Sequence, residues 1–265
     1  MTLVRLGAIA ITIFLAAPLL VVVPMSFSTA PSLQFPPHGL WVGYYAKFFA
    51  DPNWTGPLVN SIIIGVATAV LTMALAVPAS FALVRHRFPG RSAFNLLLMT
   101  PLIVPHIVMA LGYYVYFGEL RLLQTYLGVV LAHTCFSIPV AMLIITAALK
   151  GFDLSLERAA MSLGARPLTI FRLVTMPILA PAFVIAGLFA FVHSFDETVV
   201  SLFISGRDVA TLPRQMFNSF RMEADPVISV ASSLLFAAAL AGVLVPAAVR
   251  SVRRTLDRRN SPLAS

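Results

Sequence analysis

The sequence predicts an all-α integral membrane protein with six transmembrane helices. Three observations carry the prediction. Of 265 residues, 59% are hydrophobic and only 11% charged. The mean hydropathy is +0.93. Six apolar runs each reach the roughly 20 residues that a spanning helix needs. A water-facing surface takes about 25–35% charged side chains, which this chain does not hold.

The runs cover 4–26, 57–84, 92–117, 126–149, 178–204 and 227–250. Ser28-Thr29-Ala30 after the first run loosely resembles a cleavage site. The apolar core before it is longer than the roughly 7–15 residues of a secretory signal, so it reads as a span. In the loop that follows, Trp41, Tyr44, Tyr45 and Trp54 suit the membrane–water interface. Pro18, Pro78, Pro139 and Pro181 fall inside apolar runs, where neighbouring helices can satisfy the freed backbone groups. Pro101 and Pro105 in Thr100-Pro101-Leu102-Ile103-Val104-Pro105-His106 predict a bend or break in the third span. Between spans five and six, Thr211-Leu212-Pro213 can start a short amphipathic helix with Met216, Phe217 and Phe220 on one face. The chain reads as a single transmembrane domain, 1–265, with a basic tail at 250–265.

Basic residues set the orientation. With the amino terminus cytoplasmic, the inside segments hold Arg5; Arg85, Arg87 and Arg91; Lys150, Arg158, Arg166 and Arg172; and Arg250, Arg253, Arg254, Arg258 and Arg259. The outside segments hold only Lys47, Arg121, Arg207, Arg214 and Arg221. The bias follows the positive-inside rule and puts both termini in the cytoplasm.

Several chemistries are excluded. The net charge of +8 is spread between apolar runs, so it forms no patch for nucleic acid. Neither of the lysines, Lys47 and Lys150, lies in the Gly-Lys-Ser/Thr core of a phosphate-binding loop, so the chain binds no ATP by that route. His38, His86, His106, His133 and His193 show no metal-ligand spacing. Cys135 alone allows neither an internal disulfide nor a multi-cysteine metal site. No serine sits in a nucleophile elbow, and no catalytic residues are expected.

The stretch 150–177 is the most informative. Ser155 is a good N-cap for a helix over about 156–163, whose Leu156, Ala159, Ala160 and Leu163 form an apolar stripe. Gly164 can adopt the positive φ of a helix end, Pro167 can open a second short helix, and Pro177 stops or bends it into the next span. Too small for a core of its own, this helix–turn–helix must bury its stripe on the chain's own helix ends or on a partner.

Ala159-Ala160-x₃-Gly164-x₉-Val174-x-Met176-Pro177 resembles the EAA signature of ABC importer permeases, Glu-Ala-Ala-x₃-Gly-x₉-Ile-x-Leu-Pro, in full register. The leading Glu falls on Arg158, with Glu157 one residue earlier. The resemblance runs from Trp41 and Asn60-Ser61 to the end of span six, and implies the type I importer (MetI-like) permease core. It implies four further things: a second permease subunit, a distinct homologue; two separate ATP-binding subunits that carry ATP and Mg; an extracytoplasmic substrate-binding protein; and residence in a bacterial inner membrane. In that reading Leu156, Glu157, Arg158, Ala159, Ala160, Leu163, Gly164 and Pro177 form the ATPase-coupling element, and the chain itself has no cofactor.

His193-Ser194-Phe195-Asp196-Glu197-Thr198 places two carboxylates in span five. Each costs about 2.5–3.5 kcal/mol at the bilayer centre, and adjacent helical positions diverge by about 100°, so at least one faces the bundle or a water-filled path. Asp196, Glu197, Phe195 and His193 are the substrate-pathway candidates; a structural contact to His193, Ser194 or a partner arginine is the alternative. Ser194-Phe195-Asp196-Glu197, Ser205-Gly206 and Thr211-Leu212-Pro213 resemble the polyamine-type (spermidine/putrescine) branch, whose relatives include permeases for γ-aminobutyrate, opines and aminophosphonates. Asn60, Asn95, His106 and His133 are weaker candidates, since polar groups in spans more often bond between helices. Two other functions compete: an ion-coupled transporter or channel using Asp196 and Glu197, and a membrane scaffold that recruits a protein through 150–177.

Overall fold

The computed structural model describes residues 2–37, 39–222 and 225–242, and all regular structure among them is helical. The order is α1 (Thr2–Met25), α2 (Gly43–Ala50), α3 (Pro52–Arg85), α4 (Arg91–Met99), α5 (His106–Glu119), α6 (Tyr126–Lys150), α7 (Leu154–Ser162), α8 (Pro167–Ile170), α9 (Met176–Asp196), α10 (Val199–Ile204), α11 (Leu212–Met222) and α12 (Val227–Gly242). Helices Pro52–Arg85, Tyr126–Lys150 and Pro167–Asp196 are each long and apolar enough to cross a membrane. The pair Arg91–Leu102 and His106–Glu119 forms a further span bent by 100°. With apolar α1 and α12, the architecture is compatible with six spans. The basic tail and the last residues of run 227–250 lie outside the described residues.

The described residues fall into two compact units, Gly56–Phe217 and the segments flanking it. In the larger unit α6 is the central element, with Val129, Ala132, His133, Phe136, Ala141, Met142 and Ile145 all buried. It packs along α9, whose Leu179, Ala186, Ala190 and Ser194 turn inward while Val184, Leu188 and Val192, four residues apart, stay exposed. Alanines at this contact let two backbones approach closely, the arrangement favoured where lipid removes the hydrophobic drive between helices. The exposed stripe of α9, like Val59, Ile62, Val66 and Val70 on α3, is an apolar surface of the kind that a membrane span presents. Thr125 caps α6 by accepting the Gly128 N–H at 3.0 Å. At Gly128 a Cβ would meet the Leu122 carbonyl oxygen at 2.2 Å, so only glycine fits.

In the flanking unit, Phe48 and Trp54 bury against one another with ring centroids 5.9 Å apart. Tyr45 bonds the Ser26 hydroxyl at 2.8 Å, and Tyr44 donates to the Ala30 carbonyl at 2.7 Å. Trp54 is thus a core residue rather than the interfacial one its position in the loop predicts, because α2 folds over it. Trp41 alone of the four aromatics stays exposed.

Candidate functional site

The segment 150–177 folds as two helices joined at Gly164, with a capping scheme that differs from the expected one. Asp153, not Ser155, caps α7: its carboxylate accepts the Ser155 N–H at 2.8 Å, and α7 starts at Leu154. A carboxylate outcompetes the hydroxyl because its bond is charge-assisted and faces the positive end of the helix. Bonds from the Ser155 side chain and backbone accordingly hold the Asp153 carboxyl below the usual range. The other end closes as expected. Gly164 has φ +80°, its N–H reaches the Met161 carbonyl at 2.9 Å, and the Ala165 N–H reaches Ala160 at 3.1 Å. These are the two bonds of a Schellman closure.

Pro177 does not interrupt the chain's path into the membrane. Helix runs unbroken from Pro167 to Asp196, with a π turn at Phe171–Thr175 just before Met176-Pro177. A proline in a helix lacks an N–H and crowds the carbonyl four residues back, here Leu173; the wider π turn absorbs both defects.

A partly buried ionic clamp holds α7 against the spans. Glu157 pairs with Arg85, the last residue of α3, at 2.8 Å, and its second oxygen accepts the hydroxyl of Thr175 at the foot of α9. The Arg85 guanidinium lies 4.9 Å from the centre of the Phe81 ring and 5.5 Å from that of Phe152. Burial pushes the Glu157 carboxyl up, but the bonds from Thr175 and Arg85 and the arginine charge outweigh it and hold the group below its usual value. Arg158, in the register of the signature glutamate, is exposed; its carbonyl accepts the Ser162 hydroxyl, and its charge acts on the Asp153 carboxyl. So the acid that reaches the helix ends sits one residue earlier than the motif places it. None of α7 is buried. Leu156 is 45% and Leu163 88% exposed, and Ala159 is also open, so the stripe is not packed on this chain.

The second constellation lies where two spans break. The 100° bend after Leu102 confirms the predicted break, and His106 opens α5 beyond it. The other break was not legible as one. Run 178–204 reads as a single span, yet α9 stops at Asp196, Glu197 is extended, and α10 begins anew at Val199. Glu197 explains this: one carboxylate oxygen accepts the Val200 N–H at 3.0 Å, capping α10, and the other lies 2.8 Å from His106 Nδ1. One buried carboxylate therefore joins the two breaks. Asp196, next to it, is exposed, and among the described residues its carboxylate makes no hydrogen bond or ion pair. Phe195 is half-buried against Phe191, with centroids 5.7 Å apart. His193 stands 6.2 Å from the His106 ring, its Nδ1 buried without a hydrogen bond.

The weaker candidates divide. His133 is fully buried between Ser194, 2.8 Å from its Nδ1, and Ser201, 3.2 Å from its Nε2. Asn60 donates to the carbonyls of Asp208 and Ala210, both at 3.0 Å, and accepts the Tyr126 hydroxyl at 2.6 Å. Both are structural ties. Asn95 is exposed and lines a groove at the ends of α3, α4 and α6.

Residues 73–262 match the family described as binding-protein-dependent transport system inner membrane components. The chain belongs to that family. It is 31% identical over 236 residues to the putrescine transport system permease protein PotI of Escherichia coli K12, spanning 85% of this chain and 82% of that one. It is 29% identical to the spermidine/putrescine transport system permease protein PotC of Haemophilus influenzae, over 88% of this chain and 90% of the relative. These relatives are of the polyamine-type branch that the sequence resembles. The fold is similar to that in a crystal structure of a bacterial ABC transporter involved in import of the acidic polysaccharide alginate. The TM-score is 0.68 at 17% identity, over 94% of this chain and 96% of that one. This permease is therefore a multi-pass inner-membrane transport component of the type I ABC importer fold, and the family is not a catalytic one.

Proposed function

We propose that this permease forms half of the translocation pathway of an ATP-driven importer for a polyamine or a related amine-bearing solute. A second, homologous permease forms the other half, and an extracytoplasmic binding protein delivers substrate. Two separate subunits bind ATP and Mg, docking on the cytoplasmic side where both termini also lie. The observation that carries the reading is the exposed α7, clamped to two spans by Glu157, Arg85 and Thr175. The exposed Leu156, Ala159 and Leu163 offer an apolar face to an ATPase cleft, Ala160 and Gly164 complete the close-fitting end, and Arg158 faces the same solvent.

Coupling follows from the clamp and from the length of the helix behind it. The 30 residues of Pro167–Asp196 make a lever of about 45 Å at about 1.5 Å per residue. Its foot is tied to α7 through Thr175, and its far end stops at the Glu197–His106 junction. When the ATPase dimer closes and drags α7, the clamp moves α3 and α9 together, and the two breaks reorient. Discontinuous helices meeting inside a bundle are where transporters commonly place substrate and gate. Of the acidic pair, Glu197 is engaged in holding the junction, which leaves the unpaired Asp196 carboxylate, flanked by Phe195 and His193, to meet a protonated amine.

The test is copurification followed by reconstitution. The complex carrying this chain should contain an ATPase and a second permease. In proteoliposomes it should take up labelled putrescine or spermidine only with internal ATP and external binding protein. Uptake that ran on an ion gradient without ATP would reject the importer reading, and a complex without an ATPase would return α7 to a scaffold role.

A further inference from the structure

A groove of about 590 Å³ opens between the ends of α3, α4 and α6 in the larger unit. Arg91 opens α4 and Lys150 closes α6, so both cations stand at the same end of the bundle. Deeper in, the walls turn apolar: Met99 lies eight residues along α4 from Arg91, and Leu143 seven residues along α6 from Lys150. At about 1.5 Å per residue, both are about 10–12 Å further into the membrane than the charges. Leu83 lines the same groove from α3, and Asn95 sits between the charged and apolar zones. Arg85 and Lys47 have acidic partners; Arg91 and Lys150 have none among the described residues.

The geometry points to a binding site for one anionic phospholipid. Its phosphate sits between Arg91 and Lys150, with Asn95 able to donate to the glycerol ester oxygens. An acyl chain runs down past Leu83, Met99 and Leu143. Charge complementarity selects the occupant: two unpaired cations repel a polyamine and attract a phosphodiester, and a groove that is charged only at its mouth fits a lipid rather than a soluble anion. The site lies on the helix ends that frame the 150–177 loop, so occupancy would steady the α6 end from which the coupling segment departs.

The experiment is native mass spectrometry of the purified complex, as it is extracted with its copurifying subunits. It is titrated with palmitoyl-oleoyl-phosphatidylglycerol or the matching phosphatidylcholine. The wild-type complex should retain one phosphatidylglycerol per copy of this chain. The double variant Arg91→Gln/Lys150→Gln should need about thirtyfold more lipid, at about 1 kcal/mol per cation near the headgroup and about 1.4 kcal/mol per decade. Arg172→Gln, an exposed cation outside the groove, should behave as wild type. Equal retention of the two lipids, or an unchanged double variant, overturns the site. Displacement of phosphatidylglycerol by glycerol 3-phosphate at equal concentration would make the ligand a soluble phosphate instead. Should the double variant fail to assemble, phosphatidylglycerol with a photoreactive tail is cross-linked to the unmodified complex. Label on residues 92–99 or 143–149 supports the site, and label only elsewhere overturns it.

Discussion

Replacing Glu157 by Gln removes the charge of the α7 clamp while keeping its shape. Glu157 and Arg85 leave only 14% and 22% of their side chains exposed, so solvent screens the pair less than it screens a surface pair. A hydrogen bond to a charged group contributes about 1.5–3 kcal/mol. One such bond, from Arg85, is weakened by the change, and the Thr175 bond loses its charge assistance. A destabilisation of about 2 kcal/mol follows, less than the roughly 3–5 kcal/mol that breaking a fully buried pair costs, because this pair is only partly buried. Because Glu157 in the folded protein titrates below its usual value, its contribution is fully present above the ordinary glutamate pKa of about 4.3 and is lost as pH falls through the lower folded value. The deficit of Glu157→Gln against wild type is therefore complete at pH 7 and shrinks below pH 4. The decisive readout is functional: solute transported per ATP hydrolysed in proteoliposomes should fall, with ATPase activity persisting. A double-mutant cycle with Arg85→Met should return a coupling energy above about 1 kcal/mol. A cycle energy near zero, or an unchanged transport ratio, would refute the clamp.

Three further outcomes are expected. At Gly164, φ is +80° and nothing lies within 4 Å of an added Cβ, so the cost of Gly164→Val comes from backbone conformation and from whatever docks there, not from a clash within the chain. Gly164→Val should uncouple hydrolysis from uptake and Gly164→Asn should largely restore it, since Asn tolerates the left-handed region; equal defects would refute the conformational argument. Asp196→Asn should raise the KM or lower the rate for a cationic solute with the melting temperature unchanged, whereas Glu197→Gln, which loosens the bonds to His106 and Val200, should lower the melting temperature as well. Identical profiles would mean that the pair is not divided in this way. Gly128→Ala drives a methyl against the Leu122 carbonyl and should cost roughly 1–3 kcal/mol or more, read as lost yield of folded complex; normal yield would show that the Leu122 turn relaxes freely.

Much of the architecture was legible because the bilayer imposes simple rules. Apolar length marked the long apolar helices Pro52–Arg85, Tyr126–Lys150 and Pro167–Asp196, the two prolines around Thr100–His106 marked the third-span break, and glycine at 164 marked the turn of the loop. The misreadings have two causes. Asp153 rather than Ser155 as cap, and helix continuing through Pro177, were decided by close neighbours in sequence, whereas the break in 178–204 depends on a contact from another helix. His106 and Val200 bond Glu197, and the π turn at Phe171–Thr175 rescues Pro177. Trp54 likewise left the interface because α2 covers it.

The sequence by itself determined the membrane class, the all-helical fold and the importer family, since these depend on composition and spacing along one chain. Only the tertiary structure decided which acid serves which purpose. Glu157 and Arg85 are 72 residues apart and close the clamp only when α3 and α7 meet. Glu197 and Asp196 are neighbours in sequence, yet one is buried against two helix breaks and the other stands open. Helical geometry separates adjacent side chains by about 100°, and only the packed partners determine which of the two directions is inside.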